Sequence, residues 1–210
     1  MAEVVPGPAA APVAAPVVFD VRYPDRLSRW HLLLKSFLGW LYVLIPHVIV
    51  LYVYGILAGL ASLIGFLAIL FTRQFPKGLF NFVVGYQRWT MRVQAYLYLM
   101  VDSYPPSSTS APESPVSLDI TYPEKLSRGK ALLKFFLGWL YVGIPHGIIL
   151  AIYGIAVFVV VFISWFAILF TGKFPRGFFD FTTGFFRWSS RVAAYQSFLR
   201  DEYPPFNGRP

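Results

Sequence analysis

The residues best suited to chemistry come in pairs. Pro46-His47 recurs as Pro145-His146, and each pair lies inside a long apolar run. A proline inside a helix removes one backbone donor and leaves carbonyls of the preceding turn free. Histidine beside it can relay protons or bind a metal, which fits an ion or proton path. The same pairing fits a histidine that satisfies those freed backbone groups or sits at headgroup level. This second reading carries more weight, because neither run contains an Asp, Glu or Cys to complete a metal site. The other set is Arg88 and Arg92 with Trp89, matched by Arg187 and Arg191 with Trp188. Guanidinium grips phosphate through two parallel hydrogen bonds, so lipid-headgroup binding is the chemistry expected of it.

Catalytic constellations are missing. The chain has no Gly-rich phosphate loop ahead of a helix, no Gly-x-Ser-x-Gly, no His-Glu-x-x-His and no carboxylate pair in a plausible cleft. Neither catalytic residues nor a cofactor nor a metal is expected, and the reading is non-enzymatic. Cysteine is absent, which excludes disulfides and thiol chemistry.

Composition sets the environment. Of 210 residues, 57% are apolar and only 13% charged, against roughly 45–50% apolar for a soluble domain. All Lys and Arg fall outside the runs Trp40–Phe71 and Trp139–Phe170, most of them directly beside the runs. The net charge of +8 therefore reads as attraction to anionic lipids. Nucleic acid is not expected as a partner, since its binding domains cluster cations on one face or tail.

The elements that position these residues occur twice. Phe19–Pro106 aligns without a gap to Leu118–Pro205 at an offset of 99, with about half of the positions identical. A flexible Ala/Pro tail over 1–18, membrane repeat units over 19–106 and 118–206, and a Ser/Pro linker over 107–117 are the expected divisions. Each unit opens on a short alternating stretch of strand period, too short to stand alone. Pro24 and Pro123 suit the first turn of the helix that follows. Arg26, Ser28, Arg29, Lys35, Ser36 and Gly39 fall to one side of that helix, opposite Leu27, Trp30, Leu34, Phe37, Leu38 and Leu41, so it is expected to lie in the headgroup region.

The apolar run that follows is long for one crossing, about 48 Å as helix against roughly 30 Å of hydrocarbon. Either the proline kinks it, leaving one span per unit, or it folds as a hairpin about Gly55 and Gly154. The presumed tip has no turn residues, which favours the kinked span. A last helix then runs to about Val101, carrying Asn81, Gly85, Arg88 and Arg92 on one stripe. Arginines facing lipid mid-helix are costly, which places it in the interface. The class is thus an all-α integral membrane protein, a tandem repeat of interfacial helix, Pro-kinked transmembrane helix and amphipathic Arg-bearing helix.

Several motifs together resemble a known family. They are Ile-Pro-His, the run ending Ala-Ile-Leu-Phe-Thr ahead of Phe-Pro-x-Gly, Gly-x-x-Arg-Trp-x-x-Arg-Val, and the closing Tyr-Pro-Pro. They resemble a bacterial membrane-protein family known as a domain of unknown function, here present twice. The resemblance implies a bacterial inner membrane location, multi-pass, and assigns no activity, cofactor or catalytic residue. Arg73 stands where the second unit has Gly172, the residue expected in the family, so a less tightly turned first loop is anticipated. The functional expectation is a membrane scaffold or an accessory subunit of a larger complex. Its partners would be anionic lipids and a membrane protein or a second copy. A two-repeat transport component around the Pro-His breaks is the alternative.

Overall fold

In a computed structural model, residues 15–107 and 113–210 are described. Residues 1–14 of the expected tail and 108–112 of the expected linker therefore lie outside the described residues. The elements in order are β1 (Val17–Val21), α1 (Arg29–Gly39), a π-helical turn (Trp40–Leu44), α2 (Ile45–Thr72) and α3 (Lys77–Leu97). The second unit repeats them as β2 (Val116–Ile120), α4 (Arg128–Gly138), a π-helical turn (Trp139–Gly143), α5 (Ile144–Thr171) and α6 (Arg176–Gln196).

The chain is mostly helical, but it is not all-α. The two alternating stretches find their partner in each other, as β1 and β2 pair antiparallel with Phe19 opposite Leu118. Those residues occupy the same position of the two repeats, so a local two-fold axis passes between them. Val17, Phe19 and Val21 face inward, as do Val116, Leu118 and Ile120. The strands also start earlier than the expected unit boundaries, at Val17 and Val116. A two-stranded ribbon is marginal by itself, and this one rests on the opposite repeats: β1 packs on α6, and β2 on α3.

Exchange between repeats continues through every layer. The Tyr23 hydroxyl donates to the Phe174 carbonyl, and Tyr122 to Phe75, each at 2.5 Å. The Leu27 N–H reaches the Gly172 carbonyl at 2.8 Å and Leu126 reaches Arg73 at 2.8 Å. Along α1, Arg29 meets Phe170 and Ser36 meets Trp165, so α1 and the end of α5 run in opposite senses. The same holds for α4 and the end of α2, through Arg128 on Phe71 and Phe135 stacked on Phe66. Within each unit α3 returns antiparallel along α2, through Tyr54–Phe82, His47–Trp89 and Tyr42–Tyr96.

The proline does not break the helix. Residues Trp40–Leu44 wind as a π turn in which the Ile45 N–H reaches the Trp40 carbonyl, and Gly39 and Ile45 keep right-handed helical dihedrals. An extra residue per turn makes room for the ring of Pro46 where an α-helix would clash with it. The helical path is thus continuous for 44 residues, Arg29–Thr72 and again Arg128–Thr171, about 66 Å each. Gly55 and Gly154 lie in the interior of α2 and α5, which rules out the hairpin.

Four local expectations change. Helix α1 begins not at Pro24 but at Arg29, capped by the Ser28 hydroxyl that accepts from the His31 N–H at 3.3 Å. Its expected sides do not hold: Lys35 and Gly39 are buried while Arg29 and Ser36 are exposed, and Leu27 is buried while Trp30, Phe37, Leu38 and Leu41 are exposed. Helix α3 stops at Leu97, ahead of a turn with Leu99 at φ 63°. Finally, Arg73 is turned as tightly as its counterpart, at φ 61° against 72° for Gly172.

That last feature is testable. A left-handed conformation costs a residue with a Cβ roughly 1–2 kcal/mol relative to glycine. Arg73→Gly should therefore raise the thermal midpoint in detergent, as read by circular dichroism, while Gly172→Arg should lower it. A fall for Arg73→Gly would show that the arginine side chain supports this turn.

Candidate functional site

The Pro-His motif and the closing Tyr-Pro-Pro form one site. In α-helical register the missing N–H of Pro46 would have served the Tyr42 carbonyl. The Tyr104 hydroxyl serves it instead at 3.2 Å, and Tyr203 serves Tyr141 at 3.1 Å. His47 lies over the same gap, its Nδ1 donating to the Val43 carbonyl at 3.0 Å. Trp89 meets the His47 ring edge-on at 5.8 Å and Tyr104 at 5.2 Å. Behind them the Tyr42 and Tyr96 hydroxyls bond at 2.8 Å. Burial pushes the Tyr96 hydroxyl well above its ordinary pKa, and the bond to Tyr42 acts in the same direction.

The second copy differs in its proton. His146 is fully buried, and its Nδ1 accepts from the Trp188 indole N–H at 2.9 Å. The imidazole hydrogen must then sit on Nε2, which has no partner among the described residues. Phe206 stacks flat on the ring at 4.0 Å; the first repeat has Ser107 at that position. Each histidine is thus enclosed by aromatic rings. Among the described residues no three His, Cys, Asp or Glu are grouped to hold a metal.

The arginines grip the ribbon. The Arg187 Nε donates to the Phe19 carbonyl at 2.9 Å and its Nη2 meets Asp20 at 2.6 Å. Arg88 does the same to Leu118 at 2.7 Å and Asp119 at 3.1 Å. Both strands of a two-stranded ribbon are edges, and these guanidiniums cover the open carbonyls. Arg92 is buried, and Arg191 donates to the Arg209 carbonyl at 2.7 Å. Burial lowers the pKa of both from the ordinary value, with Arg88 and Arg187 adding like-charge repulsion. Trp89 and Trp188 are buried against the histidines rather than turned outward.

One buried ion pair escaped sequence reasoning. The Lys35 ammonium is 3% exposed and bonds Asp102 at 3.0 Å and the Val101 carbonyl at 2.6 Å, above the Tyr96 ring at 4.2 Å. The other Asp102 oxygen accepts the Ser28 N–H at 2.6 Å, so a single carboxylate both neutralises the lysine and tethers the start of α1. Lys134, Asp201 and Ser127 repeat the arrangement. The signal was available, since Lys35, Asp102 and Tyr104 recur unchanged at the offset of 99, whereas neighbours such as Ser36 and Leu99 do not.

Fold and site define a class: a mostly helical internal repeat, closed on itself like a dimer, with two helices long and apolar enough to cross a membrane. The family model described as Domain of unknown function (DUF4389) matches residues 34–109 and again 133–207, and the chain belongs to that family. Both matches begin inside α1 and α4, which leaves β1 and β2 outside them. No curated protein and no solved structure matches the chain.

Removing one partner of a buried pair leaves the other uncompensated, at about 3–5 kcal/mol. Asp102→Ala should lower the thermal midpoint sharply, and adding Lys35→Met to it should recover much of the loss. Equal damage in the single and double variants would mean that the carboxylate acts only through Ser28. Tyr104→Phe should cost less, about 1 kcal/mol for one neutral hydrogen bond, read in the same melt.

Proposed function

We propose that the protein is a non-enzymatic scaffold or accessory subunit of the bacterial inner membrane, held in the bilayer by the outward faces of its two long helices. The observation that carries this is their exposure. Only 28% and 11% of the most apolar stretch of each is buried, whereas the core helix of a water-soluble protein would be mostly covered. Val48, Ile49, Tyr52, Ile56, Leu60 and Leu63 all face outward on α2. Trp30, Trp40 and Trp139 stand exposed as interfacial anchors.

Symmetry supports a flat arrangement. The long helices run antiparallel about the axis through Phe19 and Leu118, so two full crossings would put that axis in the bilayer plane at mid-depth. Asp20 and Asp119, with side chains 57% and 73% exposed, would then sit in hydrocarbon. Each such charge costs about 2.5–3.5 kcal/mol on insertion scales. With the axis along the bilayer normal, the ribbon faces water and both long helices lie along one leaflet. Exposed Arg29, Arg73, Arg128 and Lys173, at the ends of those helices, then supply the contacts to anionic headgroups. This role leaves Arg88 and Arg187 to the ribbon. The transport alternative needs a polar passage at His47 and His146, where aromatic rings close in on both.

Single cysteines in this cysteine-free chain test the arrangement. Gln74→Cys and Lys173→Cys mark the two loops at opposite ends of the molecule. Both should react with a membrane-impermeant maleimide from the same side of the membrane, while Val50→Cys and Ile149→Cys stay protected from both. Labelling of the two loops from opposite sides would replace the flat arrangement with antiparallel spans. Labelling of Val50→Cys in intact membranes would remove the membrane reading. Co-purification in stoichiometric amount with a membrane complex then separates an accessory subunit from a free-standing scaffold.

A further inference from the structure

The two repeats match closely, so the place where they depart from symmetry is informative. Where α4 meets the end of α2, Phe135 stacks on Phe66 at 4.5 Å and Phe198 closes the contact at 5.3 Å. At the corresponding place between α1 and the end of α5, Ser36 and Leu99 stand in for Phe135 and Phe198. The facing helix differs as well, with Phe158, Phe162 and Phe166 where α2 has Gly59, Leu63 and Leu67, and a hollow of about 700 Å³ lies between Ser36, Leu99, Phe158, Phe162, Trp165 and Phe166. That volume falls in the range of ligand pockets, about 300–1,000 Å³.

Its chemistry selects the ligand. The polar atoms on its wall satisfy one another: the Trp165 indole donates to the Ser36 hydroxyl at 2.7 Å, which donates to the Leu32 carbonyl at 2.8 Å. No donor is left over for a polar guest, and the remaining wall is hydrocarbon and aromatic face. Its rim is Phe158, Phe162 and Phe166, all part of the exposed apolar surface. Arg29 lies seven residues before Ser36 on the same face of α1, about 10 Å away along the axis. It is exposed and reaches the carbonyl of Phe170, one turn beyond Phe166. A cation at one end of an apolar hollow matches a phosphate attached to an aliphatic chain.

We propose that this hollow is a binding site for one acyl chain of an anionic phospholipid, with the lipid phosphate at Arg29. The proposal rests on the membrane reading above. Its symmetry mate, closed by Phe135 and Phe198, carries the same arginine as Arg128 but holds no lipid. The protein thus takes up lipid on one repeat only.

Native mass spectrometry of the full chain, extracted in mild detergent and supplied with phosphatidylglycerol, tests this. The wild type should retain one phospholipid per chain. Ser36→Phe and Leu99→Phe each restore a ring found in the other half, and each should reduce retention at least tenfold. Leu99→Phe suits the backbone, because Phe198 already adopts the same left-handed conformation at φ 62°. Unchanged lipid counts in Ser36→Phe and Leu99→Phe would overturn the proposal. A change of oligomeric state without a change in lipid would assign the hollow to a second copy and overturn it likewise. Loss of the wild type from the membrane fraction would instead sink the membrane reading.

Discussion

The structure depends on one antiparallel pairing, Phe19 against Leu118, between equivalent positions of the two repeats. A strand of five residues has no independent stability, and neither repeat contains a second strand for it. Each must therefore use the other repeat, and every contact that follows is made twice with the partners exchanged. Such an interface is isologous, the form ordinarily seen between the subunits of a two-fold dimer. Here one chain supplies both surfaces, and the repeats cannot be separated without opening the ribbon, the Tyr23 and Tyr122 bonds and both ends of the long helices.

The polarity of the molecule follows from that exchange. Several groups with obligations toward the backbone lie inside or are largely covered: Lys35 and Asp102 at the start of α1, His47 beside the proline, Arg187 on the ribbon edge. Many hydrocarbon and aromatic side chains of the long helices remain outside. In water this arrangement would carry a large hydrophobic penalty. Against lipid the penalty vanishes, and unmet backbone groups become the dominant cost. The tyrosine hydroxyl answers that cost at the point in each long helix where proline leaves a donor missing.

Three departures from symmetry bear on the structure. Arg73 matches the conformation of Gly172 at the expense of a crowded Cβ, His146 accepts where His47 donates, and Ser36 and Leu99 leave a hollow that Phe135 and Phe198 fill. The first is a matter of backbone strain. The second relocates a proton within an aromatic enclosure, and the third creates volume.

Much of this was readable in the residues alone. The offset of 99 established the repeat, the uncharged runs established two long apolar helices, and Pro46 marked where each helix would need help, because these features depend only on local sequence and period. The family membership rests on the same motifs. Tertiary structure alone decided what the repeats do to each other. A five-residue alternating stretch states that it is a strand but not with whom it pairs. An amphipathic helix states that it has two faces but not which one meets protein. Arg88 and Arg187 read as phosphate ligands because guanidinium recognises carbonyl edges and carboxylates by the same geometry. Which partner is met depends on residues far apart in sequence, 168 positions in the case of Arg187 and Phe19, and no local pattern encodes it.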